Sequence, residues 1–187
     1  DLDSSRLIAA AAQLRDQGVL LNGRALETRP SYLIGGAAHP FAPPYADRPA
    51  QVLRKAALGA DFLITQHIFD LPRWRAFLAD LDALRAAAPP FALLGGVAVL
   101  PSEPIARRVN AGLRGFTIPG EVLRRLRQAR DPQAEGIAIA AETVAELAAA
   151  PGVGGTLIAP VTGRTNALAA SVEQTEIIAS VLAAAGV

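Results

Sequence analysis

Asp61-Phe62-Leu63-Ile64-Thr65-Gln66 runs into His67-Ile68-Phe69 and then Asp70-Leu71-Pro72, and this stretch decides the fold. After Asp61, Phe62-Leu63-Ile64 with Thr65 is a largely apolar run closed by a polar amide. Such a run reads as a strand buried on both faces, the pattern of a parallel sheet rather than the alternation of a half-solvated one. Asp70 then stands where a helix cap belongs, with Pro72 in the first turn. Trp74, Phe77, Leu78, Leu81 and Leu84 follow at helical spacing. A strand, a short connection and an amphipathic helix make one βα unit.

The same unit recurs on either side. Tyr32–Ala38 reads as a strand ended by His39-Pro40, followed by a helix around Pro49–Leu58. Phe91–Val97 is the third strand. Short helices starting at Pro104 and Pro119 follow it, then a long Ala-rich helix over Glu135–Ala149 that Pro151-Gly152 stops. Thr156–Ala159 is the fourth strand, and a helix from Ser171 to about Ala185 follows. Ahead of all four units, Asp3 caps a helix to Gln17, and Gly18 ends it. Four βα units fit either a doubly wound open sheet or part of a (β/α)8 barrel. A whole barrel needs about 250 residues, so four units make half of one.

The chain has 187 residues, 51% of them hydrophobic, which is enough for one domain with a sizeable core. No apolar run is long enough for a membrane span, no signal peptide is legible, and there is no cysteine. These features predict a soluble cytoplasmic protein with no disulfide and no thiolate chemistry. The net charge is +1 and the arginines lie among acidic residues. Arg124, Arg125, Arg127 and Arg130 come closest to a basic cluster, and a solvated helix face explains them better than nucleic-acid binding. The chain contains no methionine and opens at the lead-in to a helix. The expectation is a single domain, residues 1–187, whose N-terminal half is absent from this chain.

In both architectures chemistry sits where strands end and helices begin. Small residues at Gly35-Gly36-Ala37-Ala38 would let a flat ring approach the backbone, or would serve tight strand–helix packing. Gly95-Gly96 is equally ambiguous. Gln66 brings an amide, donor and acceptor together, to the mouth of the sheet. That suits a heterocycle with an N–H beside a carbonyl, such as a pterin, and a structural bond to a loop explains it as well. His39 and His67 follow neighbouring strand ends at a spacing that matches no metal-ligand signature, so no metal is expected. Arg54 and Lys55 form a helix-borne pair, a solvated face unless a diphosphate-bearing cofactor runs down that side. Pro151-Gly152-Val153-Gly154-Gly155 precedes its strand, at the wrong end for a phosphate loop, and reads as a helix stop and turn.

Together these segments resemble the methylenetetrahydrofolate reductases. Ser31-Tyr32-Leu33-Ile34-Gly35-Gly36-Ala37-Ala38-His39-Pro40 looks like their "F-x-I-G-A-A-x-N-P" strand, and Gly59–Gln66 is similar to their "G-A-D-F-x-x-T-Q". Gly96, Val97, Leu100, Ala106, Gly115, Ile118 and Pro119 follow their next run, and Gly136, Ala140, Glu142 and Leu147 resemble their "G…A-x-E…L" helix. The resemblance extends over nearly the whole chain. It implies a parallel (β/α)8 barrel, of which this chain supplies the last four βα units plus a preceding helix. It further implies FAD at the strand ends, NADH or NADPH as electron donor, and reduction of 5,10-methylenetetrahydrofolate to 5-methyltetrahydrofolate. Gln66 matches the residue that contacts the folate pterin. Ala37 and His39 match positions beside the flavin, Arg54 and Lys55 a basic pair near the FAD chain, and Arg164 an arginine that contacts folate. The family's catalytic Glu and its flavin-side Asp would both lie upstream of Asp1, so no residue of this chain is offered as the acid. Val99, Ile105 and Val109 depart from the family pattern and leave the donor open. A half barrel has two unpaired edges, so pairing with the missing half or with a second copy is expected.

Overall fold

The structure is a computed structural model that describes residues 3–86, 88–112, 117–160 and 167–186. Helix α1 (Ser4–Gln17) leads into strand β1 (Gly35–Ala38), a single 3-10 turn at Tyr45–Asp47, and helix α2 (Arg48–Ala57). Then come β2 (Phe62–His67), α3 (Leu71–Arg85) and β3 (Ala92–Val99). Three helices follow, α4 (Glu103–Gly112), α5 (Gly120–Gln128) and α6 (Pro132–Ala149), and then β4 (Gly155–Pro160) and α7 (Ala167–Ala185). The caps act as the sequence predicts. Asp3 accepts from the Arg6 N–H at 2.8 Å, Asp70 from the Arg73 N–H at 2.9 Å, and Gly18 closes α1 with φ 69°.

The four strands form one parallel sheet in the order β1-β2-β3-β4. Among the described residues the order never reverses, so there is no switch point of the kind a doubly wound sheet needs. Helices α1, α2 and α6 pack on one face, as right-handed crossovers between consecutive neighbours require. The glycines report that face directly. A Cβ on Gly36 would meet Ile8 of α1 and Lys55 of α2, and one on Gly95 would meet Leu147 of α6. Leu63 and Leu93 share this helix-covered face and are fully buried, worth about 1.5–3 kcal/mol each. On the other face Leu157 is 46% exposed, and Leu33, just ahead of β1, is 76% exposed. A singly wound arc with one apolar face uncovered is compatible with part of a barrel.

Three elements start three or more residues from where the sequence places them, two of them for a local reason. β1 begins at Gly35 rather than Tyr32, because the Ile34 N–H goes to the Asp61 carboxylate (2.7 Å) and the Tyr32 hydroxyl to the Ala11 carbonyl (2.7 Å). α6 begins at Pro132 rather than Glu135, because Asp131 accepts from the Gln133 and Ala134 N–H groups and Pro132 follows the cap. α7 runs from Ala167, ahead of the expected Ser171.

Candidate functional site at the strand ends

Gly59-Ala60-Asp61-Phe62 builds the start of β2, at the opposite end of the strand from Gln66. Gly59 has φ +106°, and a Cβ there would lie 2.5 Å from the Ala12 Cβ, so both backbone and packing require glycine. Asp61 bonds the Arg15 guanidinium at 2.6 Å as well as the Ile34 N–H, tying α1 and β1 to β2. The Phe62 ring fills the space above Gly35, where an added Cβ would come within 2.4 Å of it.

At the other end of β2 the ladder changes register. Ile64 stands opposite Leu94, but His67, three residues on, stands opposite Gly96, two residues on. β2 therefore carries one extra residue, a bulge at Thr65-Gln66. The buried Thr65 hydroxyl accepts from the Gly96 N–H at 2.9 Å and donates to the Gln66 carbonyl at 2.8 Å. The ladder resumes with the Ile68 N–H on the Gly96 carbonyl at 2.8 Å. Gln66 is half-buried with its Oε1 buried. The neighbouring His67 is mostly buried, and desolvation holds its imidazole below the usual pKa of 6.5, in the neutral form.

Ala38 pairs with Thr65, so Ala37 and His39 stand at the strand end next to Gln66 and His67. Ala37 is exposed on the uncovered face and His39 is half-buried. Both stand where the sequence puts them. Lys55 does not stand free: its ammonium donates to the Ala37 carbonyl at 2.6 Å, and partial burial lowers its pKa. Arg54 lines a groove between α2 and α3 with Leu53 and Leu84, on the outside of the sheet and toward the strand starts. The structure thus brings Ala37, His39 and Gln66 together and leaves Arg54 apart from them. Arg164 lies outside the described residues.

Two features of the mouth go unnoticed in the sequence. The Arg73 guanidinium sits over the Tyr45 ring, 3.4 Å from its centroid, joining the 3-10 turn after β1 to the first turn of α3. A cleft of about 300 Å³ opens beside the mouth, lined by Phe69, Asp70, Pro72, Val122, Arg125 and Glu142. Arg125 is held there by Glu142, with both contacts at 2.7 Å, and by Glu135 at 2.6 Å. That pairing raises the Arg125 pKa and lowers that of Glu142, so the arginine cluster is neutralised in part by its own neighbours. Among the described residues no group of three His, Asp or Glu side chains could hold a metal ion. Among the same residues no helix is long and apolar enough to cross a membrane.

No family model and no curated protein matches this chain. Among solved structures, an uncharacterized protein from Clostridium thermocellum that binds two copies of 5-methyl-5,6,7,8-tetrahydrofolic acid is similar in fold. The TM-score is 0.64 and the identity 17%, over 98% of this chain. The chain spans 58% of the length of that relative, and the likeness at this identity is one of fold.

Proposed function

We propose that this chain forms one side of a reduced-folate site in a parallel (β/α) barrel. The observation that carries this reading is the shared fold, over 98% of the chain, with a protein that binds 5-methyltetrahydrofolate. Gln66 supplies chemistry suited to that ligand. Its amide stands at a strand end beside exposed, small Ala37, and an amide can donate and accept along the edge of a pterin. The half-buried setting strengthens such bonds by excluding water.

In the fuller form of the proposal the complete barrel reduces 5,10-methylenetetrahydrofolate to 5-methyltetrahydrofolate through bound FAD, with NADH or NADPH as donor. The exposed edge at Ala37 fits a flat ring, and His39 flanks it. A flavin bound there supplies the hydride chemistry. The work of this chain is to hold ring and folate in contact and to keep water out. Lys55 supports that surface through its bond to the Ala37 carbonyl. The remaining strands, and with them the catalytic acid, come from polypeptide other than these 187 residues, which also covers Leu33 and Leu157.

Titration with 5-methyltetrahydrofolate tests the core of the reading, with Gln66→Glu weakening binding about tenfold or more, as expected when a paired amide becomes a charged acceptor. Absence of folate binding by the complete barrel would overturn it. A second reading, a folate-binding barrel without catalysis, draws on the same neighbour, since its description speaks of binding alone. A yellow protein that bleaches anaerobically with reduced nicotinamide, and is reoxidised by methylenetetrahydrofolate, selects the reductase. A colourless protein that binds folate selects the alternative.

A further inference from the structure

We propose that Thr65 is a positioning residue, whose buried hydroxyl, together with the bare Cα of Gly96, holds the strand bulge that presents the Gln66 amide to a folate. The inference rests on the folate reading of Gln66 and adds a residue and a mechanism to it.

The argument starts from the register. Inserting one residue into β2 between Ile64 and His67 interrupts the ladder, so the Gly96 N–H needs a new acceptor. The Thr65 hydroxyl supplies it at 2.9 Å. Its own proton goes to the Gln66 carbonyl at 2.8 Å, which fixes the peptide plane from which the Gln66 side chain departs. One side chain thus repairs the ladder on β3 and orients the next residue on β2. Gly96 completes the device from the other strand. A Cβ there would lie 2.6 Å from the Thr65 carbonyl oxygen and 3.0 Å from that of Gln66, so the carbonyls of the bulge occupy the space a side chain would take. Both partners are backbone and cannot swing aside.

Gly95 and Gly96 are therefore different residues in function. Gly95 admits Leu147 of α6 and serves the core. Gly96 admits the bulge and serves the site. A buried threonine, 5% exposed and bonded only to backbone among the contacts described, has no role in an unbulged strand that valine would not fill as well.

The test uses the complete protein and 5-methyltetrahydrofolate as probe, with thermal unfolding in parallel. Thr65→Val removes the hydroxyl at nearly constant volume. Loss of the bond pair is expected to weaken folate binding about tenfold, while Thr65→Ser restores it to near the parent value. A double-mutant cycle separates positioning from general damage. In a Gln66→Ala background, Thr65→Val should cost no further affinity, because the residue it acts through is gone. Thr65→Ala takes its place, with the same expectations, if the valine variant does not fold.

Unchanged affinity in Thr65→Val, or full additivity with Gln66→Ala, would overturn the positioning role while leaving the folate site intact. Indifference of the parent affinity to Gln66→Ala would show instead that the site reading itself has failed.

Discussion

Gly136 lies in α6 where the helix passes closest to the end of β3, and Gly136→Ala gives a quantitative test of that packing. A Cβ at this position would stand 2.0 Å from the Leu100 carbonyl oxygen and 3.0 Å from its carbon, about 1.4 Å short of the 3.4 Å at which contact becomes ordinary. The obstacle is main chain, so no rotamer change relieves it. Nor can α6 withdraw easily, because Ile139, Ala140, Val144 and Leu147 bury one side of it and Leu147 fills the space over Gly95. Overpacking of this kind costs about 1–3 kcal/mol, and an overlap this deep against backbone belongs at the upper end. Replacing a helical glycine by alanine returns up to about 1 kcal/mol. The net expectation is a loss of about 2 kcal/mol. With a urea m-value of about 2 kcal/mol per molar, the midpoint of equilibrium unfolding drops by about 1 M, read by far-ultraviolet circular dichroism. Gly112→Ala, in α4 with nothing within 4 Å, is the control and should be neutral or slightly stabilising. A Gly136→Ala midpoint equal to the parent's or above it would refute the close approach of α6 to Leu100.

Asp61 offers a second test. Asp61→Ala strands the Ile34 N–H and should cost about 1–3 kcal/mol, whereas Asp61→Asn keeps an acceptor for it and should cost visibly less in thermal unfolding; equal losses would show that the Arg15 pairing, not the backbone bond, is what matters. His67 predicts a pH dependence. Burial lowers its folded pKa below 6.5, so the unfolded chain takes up a proton first as pH falls. Its contribution is whole above pH 6.5 and declines below, at no more than about 1.4 kcal/mol per pH unit. His67→Gln should flatten the slope of stability between pH 6.5 and 5.5, above the range where Glu142 and Glu146 begin to protonate. An unaltered slope would mean that the imidazole takes up its proton over the same pH range folded and unfolded.

Signals confined to one segment were legible in the sequence. Asp3 and Asp70 announce helix starts because a cap needs only a carboxylate and the next three residues. The strands announce themselves as apolar runs because their burial does not depend on which strand lies beside them. Asp131-Pro132 carries the same kind of cap signal and could have placed the start of α6. The bulge was not legible. It depends on Thr65 meeting Gly96, 31 positions away, and nothing in Phe62-Leu63-Ile64-Thr65-Gln66 distinguishes a regular strand from a bulged one. The order of strands, which separates a singly wound arc from a doubly wound sheet, is likewise a fact about neighbours and not about segments. Lys55 shows the same limit. Its position on α2 was readable, but a bond to Ala37 across the strand–helix interface was not.

The face opposite the helices changes character along the strands. Side chains alternate along a strand, so Gly35 and Ala37 share that face with Phe62 and Ile64, with Ala92, Leu94, Gly96 and Ala98, and with Gly155, Leu157 and Ala159. Toward the ends of β3 and β4 the side chains on this face become small, Leu94 being followed by Gly96 and Ala98, and Leu157 by Ala159. At the strand starts Phe62 fills the space above Gly35. At Gly96 the main chain of the β2 bulge takes the space a side chain would fill, and Ala98 beyond it is buried. The bulge that makes this close contact includes Gln66, the one long polar side chain of β2 before His67. A sheet that needed only to be buried would gain from large residues along its whole length. This one gives up apolar bulk at Gly96, where the carbonyls of the bulge take the space.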